Sequence, residues 1–309
     1  MRAPCERLWF RAATHDGVRA NRLKLREAPI TLPSGIDVTQ ARVVQPRALG
    51  AVRVSVANDD GRRSRLVGLR QSGAFKLVFP RPRGAAIDAV LVNTAGGLTG
   101  GDRFEFHASV GAGAALCVTT QAAERAYRAQ LGEVARVLTR LEAGAGARLF
   151  WLPQEMILFD RAALHRRLNV DLAADTRFLM VESLVFGRAA MGEVLAGGDL
   201  IDRIAIQRDG RPAYLDGLRL SGDIAAHMAR PAVGAGAGAM ASLVYIAPDA
   251  GARLATVRAH LGPTAGASLI GEDMLVLRAL APDSFFLRRM LLPVLDDLTD
   301  KTLPICWRL

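Results

Sequence analysis

Cysteine, lysine and aromatic side chains are scarce in this 309-residue chain, and each shortage closes off a class of function. Cys5, Cys117 and Cys306 are far apart and odd in number. They make no CxxC pair, zinc knuckle or disulfide framework, so a reducing compartment is the simplest setting. Lys24, Lys76 and Lys301 are the only lysines, and the other 37 of the 40 basic residues are arginine. That skew, beside abundant alanine and glycine, reads as the codon usage of a GC-rich genome. Aromatics make up only 6%, so the core must be built from Ala, Val and Leu. Long apolar runs are missing too. The longest charge-free stretch, Pro231 to Pro248, is dominated by Ala and Gly and is no convincing membrane span. The N-terminus has no apolar segment of signal-peptide type, so the reading expects a cytoplasmic protein with no membrane partner.

The net charge of +10 is confined to the front of the chain. Residues 1–83 hold 17 Lys+Arg against 6 Asp+Glu, and the remaining 226 residues hold 23 against 24. A neutral body with a basic leader argues against a nucleic-acid footprint. Phosphate cradles are missing as well. There is no Gly-Lys dipeptide, hence no P-loop, and the GAGAG run at 234–238 lacks the third glycine of a dinucleotide fingerprint. HExxH and GxSxG do not occur, and the five histidines stand singly.

What is present is short alternation. Residues 1–47 are Arg-rich and Pro-interrupted, either a flexible leader or a start assigned too early, and the length allows one large domain or two ordinary ones. From Val52 onward, period-two segments follow one another between Gly, Asp and Pro. RFEFHASV sets Phe104, Phe106, Ala108 and Val110 against Glu105, His107 and Ser109. LHRRLNVDLA sets Leu164, Leu168, Val170 and Leu172 on one side, and IDRIAIQRDGRPAYL reads as a hairpin about Asp209-Gly210. The pattern predicts a mostly β architecture rather than alternating β and α. Helices are expected over Ala250–Leu261 and over 283–298, where Pro293 should kink or end the regular part. QAAERAYRAQL at 121–131 has helix-forming residues but follows the strand-like ALCVTT, leaving helix and strand equally open.

VNTAGGLTGGD at 92–102 is the densest glycine run with a charge at its end. One reading is a tight turn that Asp102 caps; the other places Asp102 beside a cavity or a partner surface. FLMVESLVFGR at 178–188 buries Glu182 in an apolar strand, where an ionised carboxylate needs a cation, a metal or several hydrogen bonds. An arginine such as Arg188 or Arg125 would answer structurally; a polar passage would answer functionally. Gln154, Glu155 and Asp160 interrupt the apolar LFWLPQEMILFD in the same way.

Five ordered blocks, VNTAGGLTGGD, TTQAAERAYR, WLPQEMILF, ESLVFGRAAMGE and the terminal LPICWRL, together resemble the UreD (UreH) family of urease accessory proteins. The likeness covers residues 48–309. It implies a non-enzymatic scaffold that binds the urease structural subunits and UreF, and through UreF the GTPase UreG, so that nickel reaches the urease active site. It implies a single β-superhelical, layered domain with a few helices chiefly near the C-terminus, an extended block at 121–131, and an internal tunnel as nickel route. No cofactor is held tightly; nickel is in transit. On that resemblance Asp102, Glu155, Asp160 and Glu182 are candidate nickel-path residues. Gly96, Gly97, Gly100, Gly101, Thr119, Thr120, Tyr127, Arg128 and Arg188 are partner or structural motif residues, and 283–309 is a candidate partner surface. Loose oxygen ligation suits a conduit, because thiolate or imidazole clusters would trap the ion. The competing reading is a β-fold enzyme using Glu155 and Glu182 on a sugar, for which three tyrosines and three tryptophans offer little stacking.

Overall fold

A computed structural model describes residues 45–59, 63–81, 84–188 and 191–308, so the leader up to position 44 lies outside the described residues. Alternation dictates how the first strand lies. β1 (Leu49–Asp59) turns Val52, Val54 and Val56 inward and pairs antiparallel with β2 (Arg63–Gly73). β3 (Phe75–Val78) and β4 (Ile87–Asn93) make a second antiparallel pair in another sheet.

From β4 the chain winds between the two sheets. One coil runs from β4 into β5 (Arg103–Val110). The next is β6 (Ala115–Thr120), β7 (Glu124–Ala126) and β8 (Ala135–Ala143), followed by β9 (Arg148–Leu152), β10 (Met156–Leu158) and β11 (Ala162–Leu172). The last is β12 (Arg177–Phe186) and β13 (Gly198–Arg208). Strands one coil apart pair in parallel: β1, β5, β8, β11 and β13 in one sheet, β4, β6, β9 and β12 in the other. The mostly β, superhelical expectation holds, as stacked coils of a β-solenoid type.

A narrower third face runs along one corner. Leu98, Ala126, Leu158 and Phe186 stand in register there, one from each successive coil. Leu98 N–H donates to Arg125 O at 2.7 Å, and Gly187 N–H donates to Leu158 O at 2.8 Å. This ladder is why 121–131 is extended. Its helix-forming composition loses to backbone pairing with the coils on either side.

The winding closes with hairpins. β14 (Arg211–Ser221) returns along β13 through Asp209 and Gly210, at φ 48° and 71°. Two consecutive left-handed residues are what a type I′ hairpin turn requires. After α1 (Ile224–Ala229), β15 (Ala239–Ile246), α2 (Ala250–Ala259), β16 (Ala265–Ile270) and β17 (Met274–Ala281), the chain ends in α3 (Ser284–Leu298) and a 3-10 turn, Ile305–Arg308. β15 and β17 extend the second sheet beyond β12. Val257 of α2 and Leu291 and Leu295 of α3 pack with Leu179 and Val181 of β12. β12 is therefore covered on both sides, with Phe178, Met180 and Leu184 packed inside the solenoid, and that double burial explains its unbroken apolar run.

Asp283 caps α3 by accepting Phe286 N–H at 3.0 Å, and Pro293 does not end the helix. The lost hydrogen bond is offset by five buried side chains, Leu287, Leu291, Val294, Leu295 and Leu298. Trp307 fastens the end of the chain: fully buried, it donates Nε1–H to Leu152 O at 3.0 Å beneath the Arg288 guanidinium. Trp307→Ala should cost about 3–5 kcal/mol of unfolding free energy, read as a lowered midpoint in urea; an unchanged midpoint would remove Trp307 from the core.

Candidate functional site

β11 and β13 each place one charged side chain in phase with their apolar residues. Arg166 falls between Leu164 and Leu168, and Asp202 between Leu200 and Ile204. Parallel register sets the two directly opposite each other. Glu182 of β12 meets them, and the three side chains are only 7–11% exposed.

The contacts use every carboxylate oxygen. Arg166 forks onto Asp202, with Nε to Oδ1 at 3.0 Å and Nη2 to Oδ2 at 2.5 Å, while its Nη1 reaches Glu182 Oε2 at 2.5 Å. Trp151 donates Nε1–H to Glu182 Oε1 at 2.7 Å. One guanidinium thus serves two carboxylates. Burial raises the Glu182 carboxyl above its usual range; Arg166 opposes this, and the nearby Asp202 charge reinforces it. For Arg166, burial works against the charge, but Asp202 and Glu182 outweigh it and hold the guanidinium firmly protonated.

Space lies on both sides of this cluster. A chamber of about 310 Å³ is lined by Trp151, Arg166, Glu182, Thr139, Gln154 and Glu124 among others, and its exposed lining residues are Gly96, Gln121, Ala122, Arg125 and Arg167. Burial pushes the Glu124 carboxyl up, against the Asn93 hydrogen bond that holds it down. On the far side a cleft of about 10 Å³, lined by Glu182, Asp202, Asp216, Ser242 and Arg278, has the room of a single water. The Asp216–Arg278 pair, 2.5 Å apart, lines its outer side. A line of carboxylates, Glu124, Glu182, Asp202 and Asp216, therefore runs along two spaces that share Glu182 as a wall.

Asp102, Asp160 and Glu155, also expected as nickel-path residues, line neither of these two spaces. Asp102 caps the glycine turn, accepting Thr99 N–H at 2.7 Å and Ala48 N–H at 2.8 Å. Asp160 accepts Gly197 N–H at 2.9 Å beside Arg161. Glu155 is buried but faces α3, where Arg288 grips it with Nε at 3.0 Å and Nη2 at 2.7 Å. Since Glu155 is not among the residues lining the chamber, the structure does not bring Glu155 and Glu182 together as a glycosidase pair. The arginine answering Glu182 is Arg166, neither Arg188 nor Arg125.

The motif residues gather at the third face. Gly97, at φ 155°, lets the Tyr127 ring approach so closely that a Cβ there would sit 2.3 Å from it. Tyr127 donates its hydroxyl to Gly96 O at 3.2 Å and meets Phe159 edge-on at 4.8 Å, and Arg188 lies 4.2 Å over the Phe159 ring while forking onto Glu193. Gly100 packs against Glu133 and Ala129, and Gly101 turns at φ 89°. Thr99 Oγ1 donates to Arg128 O, Thr119 is buried, and Thr120 Oγ1 accepts Gln154 N–H at 2.9 Å. Arg166, Asp202 and Trp151 are functional candidates that motif reasoning passes over. For Arg166 and Asp202 the signal is phase, a charged residue on the apolar register of its strand; Trp151 carries no such signal.

Among the described residues, no three His, Cys, Asp or Glu side chains converge to hold a metal ion, and no helix is long and apolar enough to cross a membrane. Residues 48–307 match the family profile described as UreD urease accessory protein. A urease accessory protein UreD of Roseobacter denitrificans is 53% identical over 265 residues, 86% of this chain and 96% of the relative. That of Ruegeria pomeroyi is 56% identical over 244 residues (79% and 95%), and that of Rhizobium etli 49% over 265 (85% and 96%).

The raised Glu182 pKa has a defined consequence for pH. A carboxyl that protonates more readily folded than unfolded contributes stability that is full below the ordinary carboxylate range and is lost as pH rises through its folded value. Melting temperature followed from acid to neutral pH should fall more steeply for the wild type than for Glu182→Gln; parallel curves would mean that folding leaves the Glu182 pKa where it stands in the unfolded chain.

Proposed function

The chain belongs to the UreD family of urease accessory proteins, and on that premise we propose that it is a non-enzymatic maturation factor passing nickel to urease through its own interior. The observation that carries this reading is Glu182, a buried carboxylate forming the shared wall of a 310 Å³ chamber and a second, smaller cleft. Carboxylate oxygens hold a divalent cation loosely compared with thiolate or imidazole, which suits cargo in passage. Glu124 and Glu182 line the chamber, and Glu182, Asp202 and Asp216 line the cleft.

Membership of the family supports this choice of partners. The chain engages the urease structural subunits and UreF, and receives nickel from the GTPase UreG through UreF, in the cytoplasm. It needs no nucleotide site of its own, since the GTP chemistry belongs to UreG. Its surface offers Phe285, Phe286 and Ile305, all exposed on the C-terminal segment, as apolar contacts for a partner.

Removing the protein from a urease-positive host should leave apo-urease that accumulates and that excess nickel partly rescues. Complementation with Glu182→Gln should lower urease activation at limiting nickel by about 10-fold, while co-purification with UreF and urease is unchanged. Full activation by Glu182→Gln would make that carboxylate purely structural and end the conduit reading.

A further inference from the structure

We propose that Arg166 is the gate of this passage: its guanidinium stands where a cation must go and has to withdraw from Glu182 and Asp202 before one can pass. The inference rests on the conduit reading and adds how the route is closed.

Position comes first. Arg166 lines the chamber, and the two carboxylates it bridges line the cleft beyond, so its side chain stands between the two spaces. The cleft itself admits one water, far less than a hydrated metal ion needs. In this arrangement the route is shut.

Charge comes next. With both carboxylates ionised the cluster carries −1, and a divalent ion replacing the guanidinium makes it neutral. A monovalent ion replacing it leaves −1 and brings no electrostatic advantage over the arginine already tethered there. The same arginine that shuts the route thereby selects against sodium and potassium. The device is also reversible. A tethered cation returns once the cargo has left, and the carboxylates never stand unpaired in the apolar interior, which would be costly.

Arg166 also lines an outer groove of about 380 Å³, but Arg136, Arg167 and Arg203 line it too and repel a further guanidinium, so the chamber is where it can withdraw. The chamber of about 310 Å³ adjoins Arg166 directly, and its Thr139 and Gln154 offer polar atoms to a displaced guanidinium. Cargo entering from that side would meet the arginine first.

Nickel binding by the purified full chain tests the gate without urease. Equilibrium dialysis against nickel(II) should find about one more bound ion in Arg166→Gln than in the wild type, because the carboxylates lose their resident cation. The extra ion should disappear in Arg166→Gln/Asp202→Asn. Nickel should raise the melting temperature of Arg166→Gln and leave that of the wild type unmoved. Arg166→Lys keeps a charge but cannot fork onto both carboxylates, so it should retain more nickel than the wild type even if Arg166→Gln does not fold. Wild-type nickel retention in a folded Arg166→Gln or in Arg166→Lys overturns the gate. A conduit that fails shows itself separately, as full urease activation by Glu182→Gln.

Discussion

Every coil of this solenoid leaves its backbone hydrogen bonds half made until the next coil is laid against it. That constraint governs the rest of the molecule. Parallel pairing satisfies the N–H and C=O groups of β5, β8, β11 and β13 in one sheet and of β4, β6, β9 and β12 in the other. It also fixes which side chains share a level. Phe106, Thr139, Leu168 and Ile204 form one interior column, and Phe104, Val137, Arg166 and Asp202 form its neighbour. The charged cluster is thus a property of register: a slip of one residue in β11 would turn Arg166 out to solvent and strand Glu182 and Asp202.

Such a cluster is a poor way to gain stability. Desolvating three charges costs several kcal/mol each, and apolar residues of similar volume often serve a core as well or better. The arrangement cannot be understood as packing filler either, since it borders a chamber of about 310 Å³ that the fold leaves empty of side chains. Interiors of this size are normally filled to crystal-like density. A costly ion cluster beside an unfilled chamber is more than packing alone requires.

Local features were legible in the sequence, and long-range ones were not. Alternation located β5, β11 and the β13–β14 hairpin, and the Asp283 cap located α3, because each depends on neighbours within a few residues. The continuation of α3 past Pro293 depends on burial against β12, β15 and β17, which local rules do not see. The coils themselves were hidden for a geometric reason. Equivalent positions Phe106, Thr139, Leu168 and Ile204 lie 33, 29 and 36 residues apart, so the structural repeat leaves no fixed period in the sequence. The quoted blocks, by contrast, were conspicuous because four of them supply the same corner of successive coils. Gly97, Tyr127, Phe159 and Arg188 stack there, where close approach restricts residue type. Of the carboxylates picked out by apolar surroundings, Glu182 reached the interior, whereas Asp102, Asp160 and Glu155 satisfy backbone N–H groups or an arginine. Burial identifies a carboxylate that needs a partner; it does not say which partner.

The C-terminal segment joins the surface to this interior through one side chain. Gln154 lines the chamber, yet its Oε1 accepts from Arg288 of α3 at 2.5 Å and its Nε2 donates to Cys306 O at 2.8 Å. Arg288 simultaneously grips Glu155 and stacks over Trp307, whose indole is bonded to Leu152 O. Residues 152–155 are therefore held from outside by α3 and the terminal turn, while Pro153 and Gln154 form chamber wall. The exposed Phe285 and Phe286 lie three and two residues before Arg288 on the same helix. A partner seated on those rings would bear on the helix that sets the wall, and the contacts between the two are continuous: ring, helix, guanidinium, amide, chamber. Both the fastening of the chain end and the shape of the chamber thus depend on Arg288, which is why a segment that reads as a simple packed helix carries four polar bonds on a single side chain.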